Sequence, residues 1–230
     1  MTKPLTSAER VYQDLRRRII DGAIKPNQRL VHRDLAAEFG VSNTPVIDAL
    51  RRLERDGLIV NQPNWGAAVR EWTTDDIEAL YKTRTAIESH ACRLFAERAT
   101  RVERLILAEY CGNYEEVLDK GRSERIDADT AFHMYIVQAA RCQYLSHVAE
   151  ATGVIALAFS SGAEPGIPLR PDSSIVDEHR RITAALLEGD ANEAEEAARC
   201  HVEASLEAIL DALAGLNGRP NTSEASAGAL

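Results

Sequence analysis

Apolar positions along the chain follow two regimes. Up to about residue 70, short helical stripes give way to a paired-strand signature. Beyond it, only helical stripes recur. Val11, Leu15, Ile19 and Ile20 share one face of a helix predicted over 7–21, which Asp21-Gly22 stops. Ile24 to Asn27 reads as a turn. Leu35, Ala36 and Phe39 face inward on a second helix over 32–39, and Gly40 suits a left-handed C-cap. Ser42 is a good N-cap for a third helix, in which Pro45 sits in the first turn and Val46, Leu50 and Leu53 form the stripe. Leu58 to Val60 and Ala67 to Val69 read as strands, joined by a polar turn from Asn61 to Gly66.

Three helices and a hairpin in this order predict a winged helix-turn-helix, with Phe39 to Ser42 as the turn between crossing helices. From Thr73 onward the pattern predicts an antiparallel helical bundle. Its first helix runs from Thr74 to about Ala99, with Ile77, Leu80, Tyr81, Ile87 and Leu94 as core positions. Further helices are expected near 101–119, 123–140, 143–160, 173–188 and 190–216. The fold class is mainly α. The expected organisation is a winged helix-turn-helix over 1–72, an all-helical unit over 73–216 and a disordered tail over 217–230.

The net charge of −9 argues against nucleic-acid binding until the chain is divided. Residues 1–72 carry 12 Lys+Arg against 9 Asp+Glu, and residues 73–230 carry 15 against 27. The basic end is the one with the winged-helix pattern. The four cysteines are scattered without a CxxC, which excludes a zinc ribbon. No apolar run approaches a membrane span, and the first residues lack a leader's apolar core, so no membrane partner is expected and the cytoplasm is the expected compartment.

The third helix can lie in a major groove of double-stranded DNA with its leading end at base edges. Ser42, Asn43, Thr44, Ile47 and Asp48 face outward there. Asn43 suits adenine and Ile47 a thymine methyl. Arg33, Arg51, Arg52 and Arg55 suit phosphates, and the wing tip from Asn61 to Trp65 can reach an adjacent groove.

In the bundle, Asp129 and His133 lie four residues apart on one helical face that Ile136 and Ala140 continue inward. His179 aligns with Ile175, Ile182 and Leu186, and His201 with Ala197, Ala204 and Ala208. A single histidine on an apolar face is usually a core residue with satisfied hydrogen bonds. One Asp and three His from three helices suit a divalent transition metal, with zinc, nickel and iron all compatible.

The run from Val11 through Arg29-Leu30, and then Leu35-Ala36 through Gly40-Val41-Ser42-Asn43-Thr44-Pro45-Val46 to Asp56-Gly57-Leu58, resembles the GntR family of regulators. Members of that family often carry arginine at the positions of Asn43 and Ile47. This chain therefore lacks two cations on its reading face, which implies weaker, less salt-dependent DNA binding and a different operator preference. Asp129-Thr130-Ala131-Phe132-His133, followed by Glu178-His179 and His201, resembles the FadR-like (FCD) ligand-binding domain. That resemblance implies a metal, zinc first and nickel or another transition metal next, held by Asp129, His133, His179 and His201. It also implies a small organic acid as effector beside the ion, met by Arg84, and a homodimer on a DNA operator.

The expectation is a transcriptional regulator, more often a repressor in this family, whose operator affinity follows the effector. A metal-responsive regulator and a metal-dependent hydrolase are the alternatives. Against the hydrolase, the sequence holds no HExxH, nucleophile elbow or P-loop.

Overall fold

The computed structural model describes residues 5–62, 65–152 and 172–217. The described residues form nine helices and one hairpin: α1 (Ser7–Ile20), α2 (His32–Phe39), α3 (Asn43–Arg55), β1 (Ile59–Gln62), β2 (Gly66–Val69), α4 (Thr74–Arg98), α5 (Arg101–Glu116), α6 (Arg122–Ala139), α7 (Gln143–Thr152), α8 (Asp172–Glu188) and α9 (Ala191–Asn217).

The N-terminal core is the one the periodicity marks. Val11, Leu15, Val46, Leu53, Ile59 and Val69 pack together from α1, α3 and the hairpin. Gly40 adopts φ +63° at the end of α2, a left-handed turn that a Cβ would strain. That turn swings α3 across α2. Ser42 caps α3 through its backbone alone, because its hydroxyl makes no capping hydrogen bond. The antiparallel ladder pairs Ile59 with Val69, Asn61 with Ala67 and Gln62 with Gly66. Asn61 and Gln62, expected in the turn, therefore belong to β1. Polar residues continue a ladder wherever backbone partners face each other, so the wing is longer than its apolar letters.

The helices after β2 enclose a second core that includes Phe95, Leu107, Phe132, Ile136, Ile182 and Leu186. Thr73 with Asp76, and Thr100 with Glu103, form reciprocal capping boxes that start α4 and α5. The longest helices, α4 and α9, share the most extensive contact. There Ile77, Tyr81 and Val202 pack with Trp72, Leu206 and Ile209. α6 touches α4, α5 and α7, and also reaches α1. The second half of the helix expected over 143–160 and most of the tail expected over 217–230 lie outside the described residues.

Candidate metal centre and nucleic-acid interface

Asp129 and His133 come from α6, His179 from α8 and His201 from α9. None of the four exceeds 4% exposure. One ring nitrogen from each histidine lies within 4.8 Å of the others. The ring centroids are 5.0–5.2 Å apart pairwise. Asp129 Oδ1 is 3.2 Å from His179 Nε2, and Asp129 Oδ2 is 3.7 Å from His133 Nε2. The four residues predicted from sequence are thus brought to one point.

The tautomers are set from outside the cluster. Glu88 Oε2 lies 2.7 Å from His133 Nδ1, and Glu178 Oε2 lies 2.7 Å from His201 Nδ1. Both contacts turn Nε2 inward, the arrangement by which carboxylates orient metal-binding imidazoles. Sequence reading assigned no role to either glutamate. Their only signals were the spacing of Glu88 from Arg84 and the adjacency of Glu178 to His179. Phe132 stacks on the His179 ring at 4.5 Å, and Tyr114 meets it edge-on at 4.8 Å, which fixes the imidazole plane.

Inside the cluster, polar atoms lack hydrogen bonds. Asp129 Oδ2, Nδ1 of His179, and Nε2 of His133 and of His201 are buried without a hydrogen-bond partner, and Nε2 of His179 lies 3.2 Å from Asp129 Oδ1. Each such atom costs about 1–3 kcal/mol if left so. A divalent cation would meet the Asp129 carboxylate and one nitrogen of each histidine together, so the donor set fits a metal ion. Electrostatics point the same way. Burial pushes the Asp129 carboxyl up, but His133, His179 and His201 overcome it and hold it at about 2. Burial pushes His201 down to about 4 against the pull of Glu178, and pushes His179 down as well. At neutral pH this gives an anionic carboxylate with His179 and His201 as neutral imidazoles, the forms that ligate.

Arg84 is also inside, at 0% exposure. Its Nε donates to Glu88 Oε1 at 2.5 Å, and its guanidinium lies 5.3 Å from the centre of the Tyr81 ring. Burial pulls the guanidinium down, and Glu88 more than restores it, so Arg84 stays charged. The ion pair also holds Glu88 well below the usual carboxylate range, against burial. Arg84 therefore stands behind His133, with Glu88 between them.

In the N-terminal unit, Ser42, Asn43, Thr44, Asp48 and Arg51 are exposed along the leading part of α3, and Arg33 is exposed on α2. Ile47 is half-buried and lines a groove of about 410 Å³ between α3 and the wing, with Arg29, His32, Arg51 and Asn61 around it. Arg51 keeps 73% of its side chain exposed. Arg52 points elsewhere. Its Nη1 lies 2.5 Å from Glu9, and its guanidinium sits 3.6 Å from the centre of the Tyr12 ring, both on α1.

Residues 7–69 match the bacterial regulatory proteins of the gntR family, and residues 79–204 match the FCD domain, more than half of the chain. The chain belongs to the GntR family of transcriptional regulators, with an FCD domain. It is 31% identical over 188 residues to a protein of Paenarthrobacter nicotinovorans named "Probable D-xylose utilization operon transcriptional repressor", covering 80% of each chain. It is 25% identical over 214 residues to the HTH-type transcriptional repressor RspR of Escherichia coli K12, covering 90% of each. Escherichia coli McbR/YncC has the same fold, with a TM-score of 0.69 at 21% identity, over 90% of this chain and 99% of that one.

These relatives are regulators, so the hydrolase alternative is set aside and this GntR chain is not an enzyme. No helix among the described residues is long and apolar enough to cross a membrane.

Proposed function

We propose that this GntR–FCD regulator is a repressor. Two copies bind a pseudo-palindromic operator, and its affinity follows a small organic acid bound at a metal held by Asp129, His133, His179 and His201. The observation that carries the reading is the convergence of buried, unpartnered donor atoms from α6, α8 and α9. A zinc ion there, with nickel as the next choice, supplies a Lewis-acidic anchor for a carboxylate. Arg84 adds positive charge behind His133. An anionic effector that contacts Arg84 does so by competing with Glu88.

DNA reading is assigned to the leading end of α3. The free hydroxyl of Ser42, with Asn43 and Thr44, faces base edges. Ile47 offers an apolar surface in the groove beside the wing, and Arg33 and Arg51 meet phosphates. Arg52 supports this face from behind through Glu9 and Tyr12. Two-fold symmetry of the dimer matches the two half-sites.

The depth of the metal centre favours a second reading, in which the ion itself is the signal. Fluorescence anisotropy with DNA from upstream of the gene separates the two. Zinc-loaded protein whose operator affinity changes on adding a panel of small carboxylates supports metabolite sensing. Affinity that follows free zinc and ignores every acid supports metal sensing. No salt-sensitive, sequence-selective complex under any condition contradicts both.

A further inference from the structure

The metal helix α6 also carries the contact between the bundle and the DNA-binding unit. Asp127 lies two residues before Asp129, about 200° around the helix. Asp129 therefore faces the histidines while Asp127, with 58% of its side chain exposed, faces α1. There Arg16 Nη1 meets Asp127 Oδ1 at 2.7 Å, with Arg16 only 19% exposed. Five residues further along α1 and five residues back along α6, the signs at the two positions are exchanged. Asp21, the C-cap of α1, stabilises the charge of Arg122 at the start of α6, while burial and the nearby Arg125 weaken it. The two positions share one antiparallel register between α1 and α6, and the Arg16–Asp127 ion pair is the contact that joins them.

The same face of α1 continues to the recognition helix. Glu9, Tyr12 and Arg16 recur at i, i+3 and i+7. Glu9 holds Arg52 at 2.5 Å, Arg52 lies over the Tyr12 ring, and the Tyr12 hydroxyl donates to Asp56 at 2.6 Å. α1 is thus clamped to α3 by one end of this face and to α6 by the other. A cleft of about 720 Å³ lies between them, bordered by Glu9, Arg16, Arg52, Ser123 and Asp127.

We propose that α1 couples the metal centre to the recognition helix, with the Arg16–Asp127 pair as the contact that passes a displacement of α6 to the DNA-reading face. A movement of Asp129 and His133 on binding at the centre moves Asp127 on the opposite side of the same helix. Arg16 then carries the shift along α1 to Arg52 on α3. Arg52 in this account is a positioning residue. The inference rests on the proposed reading that the Asp/His₃ centre controls operator affinity.

The test measures operator affinity of the full chain, zinc-free and zinc-loaded, for wild type, Arg16→Asp and the exchanged pair Arg16→Asp/Asp127→Arg. Zinc affinity is measured in parallel by chelator competition. An allosteric factor, on the order of 5–150-fold in wild type, is expected to shrink to near unity in Arg16→Asp. It is expected to return in the exchanged pair, with zinc affinity unchanged throughout. If wild type shows the factor and Arg16→Asp keeps it, the coupling route is overturned and the control by metal stands. If Arg16→Asp weakens operator binding equally with and without zinc, the pair is only structural and the route is likewise overturned. A wild-type affinity indifferent to zinc, and in the zinc-loaded protein to every acid of the carboxylate panel, overturns the underlying reading, and this inference with it.

Discussion

Glu88 binds two buried cationic or ligating groups at once: its Oε2 lies 2.7 Å from His133 Nδ1, and its Oε1 accepts from Arg84 Nε at 2.5 Å. Arg84 and Glu88 are 0% and 3% exposed as side chains, so solvent does little to screen the pair. Replacing Glu88 by Ala removes the carboxylate on which both depend. Breaking one side of such a buried pair costs about 3–5 kcal/mol. The expected outcome is a loss of that order in chemical denaturation. A loss under about 1 kcal/mol, the range of an exposed pair, would contradict the arrangement.

Glu178 gives a cleaner test of ligand orientation, because it is more exposed than Glu88 and its Oε2 lies 2.7 Å from His201 Nδ1. Glu178→Ala is expected to weaken metal binding by roughly 10–100-fold while the helical circular dichroism is retained. Competition with a chromophoric chelator reads this directly. Unchanged metal affinity would show that His201 does not need the glutamate to present Nε2.

The metal-free protein is expected to be acid-sensitive in a defined window. The folded state holds His201 at about 4, below its ordinary 6.5, chiefly because burial disfavours the charged ring. The unfolded chain therefore takes up the proton first. Stability from this group is complete above 6.5 and is lost as pH falls towards 4. His179, also lowered by burial, acts in the same direction. Melting temperature without metal is expected to fall across that window, and the slope to be shallower in His201→Gln. A flat or rising profile would contradict the neutral, buried imidazoles.

On the DNA side, Arg33→Ala is expected to weaken binding to all sequences and to reduce the logarithmic salt slope by about 1. Asn43→Ala is expected to relax one base position by about 1–3 kcal/mol and leave the slope nearly unchanged. Arg52→Ala is expected to change the slope less than Arg33→Ala, because Glu9 and Tyr12 occupy its guanidinium. Salt-dependent anisotropy on an operator and its single-base variants checks all three. An equal slope change for Arg33 and Arg52 would place both on phosphates.

Both the fold and the convergence of Asp129 with the three histidines were legible for one reason. Helical periodicity fixes which way a side chain points. The stripes Val11-Leu15-Ile19 and Val46-Leu50-Leu53 define the winged-helix core. The same rule sent Asp129, His133, His179 and His201 inward from three helices. Periodicity says nothing about what stands opposite. Arg51 and Arg52 are adjacent letters, yet one reaches solvent and the other is claimed by Glu9, forty-three residues earlier. Likewise, the FCD resemblance offered Arg84 to an acid, while a salt bridge on the surface or between helices read equally well. Only the packing around α4 puts Arg84 and Glu88 at the bundle centre. The extension of β1 to Gln62 was hidden because backbone pairing, not side-chain polarity, decides where a ladder ends.

The most direct test of the central claim is the metal content of the purified full chain, by native mass spectrometry combined with elemental analysis. The account predicts one divalent transition-metal ion per chain, zinc or nickel, lost in Asp129→Ala and in His179→Ala. Chains that carry no ion, and that gain neither mass nor melting temperature when zinc is added, would contradict it.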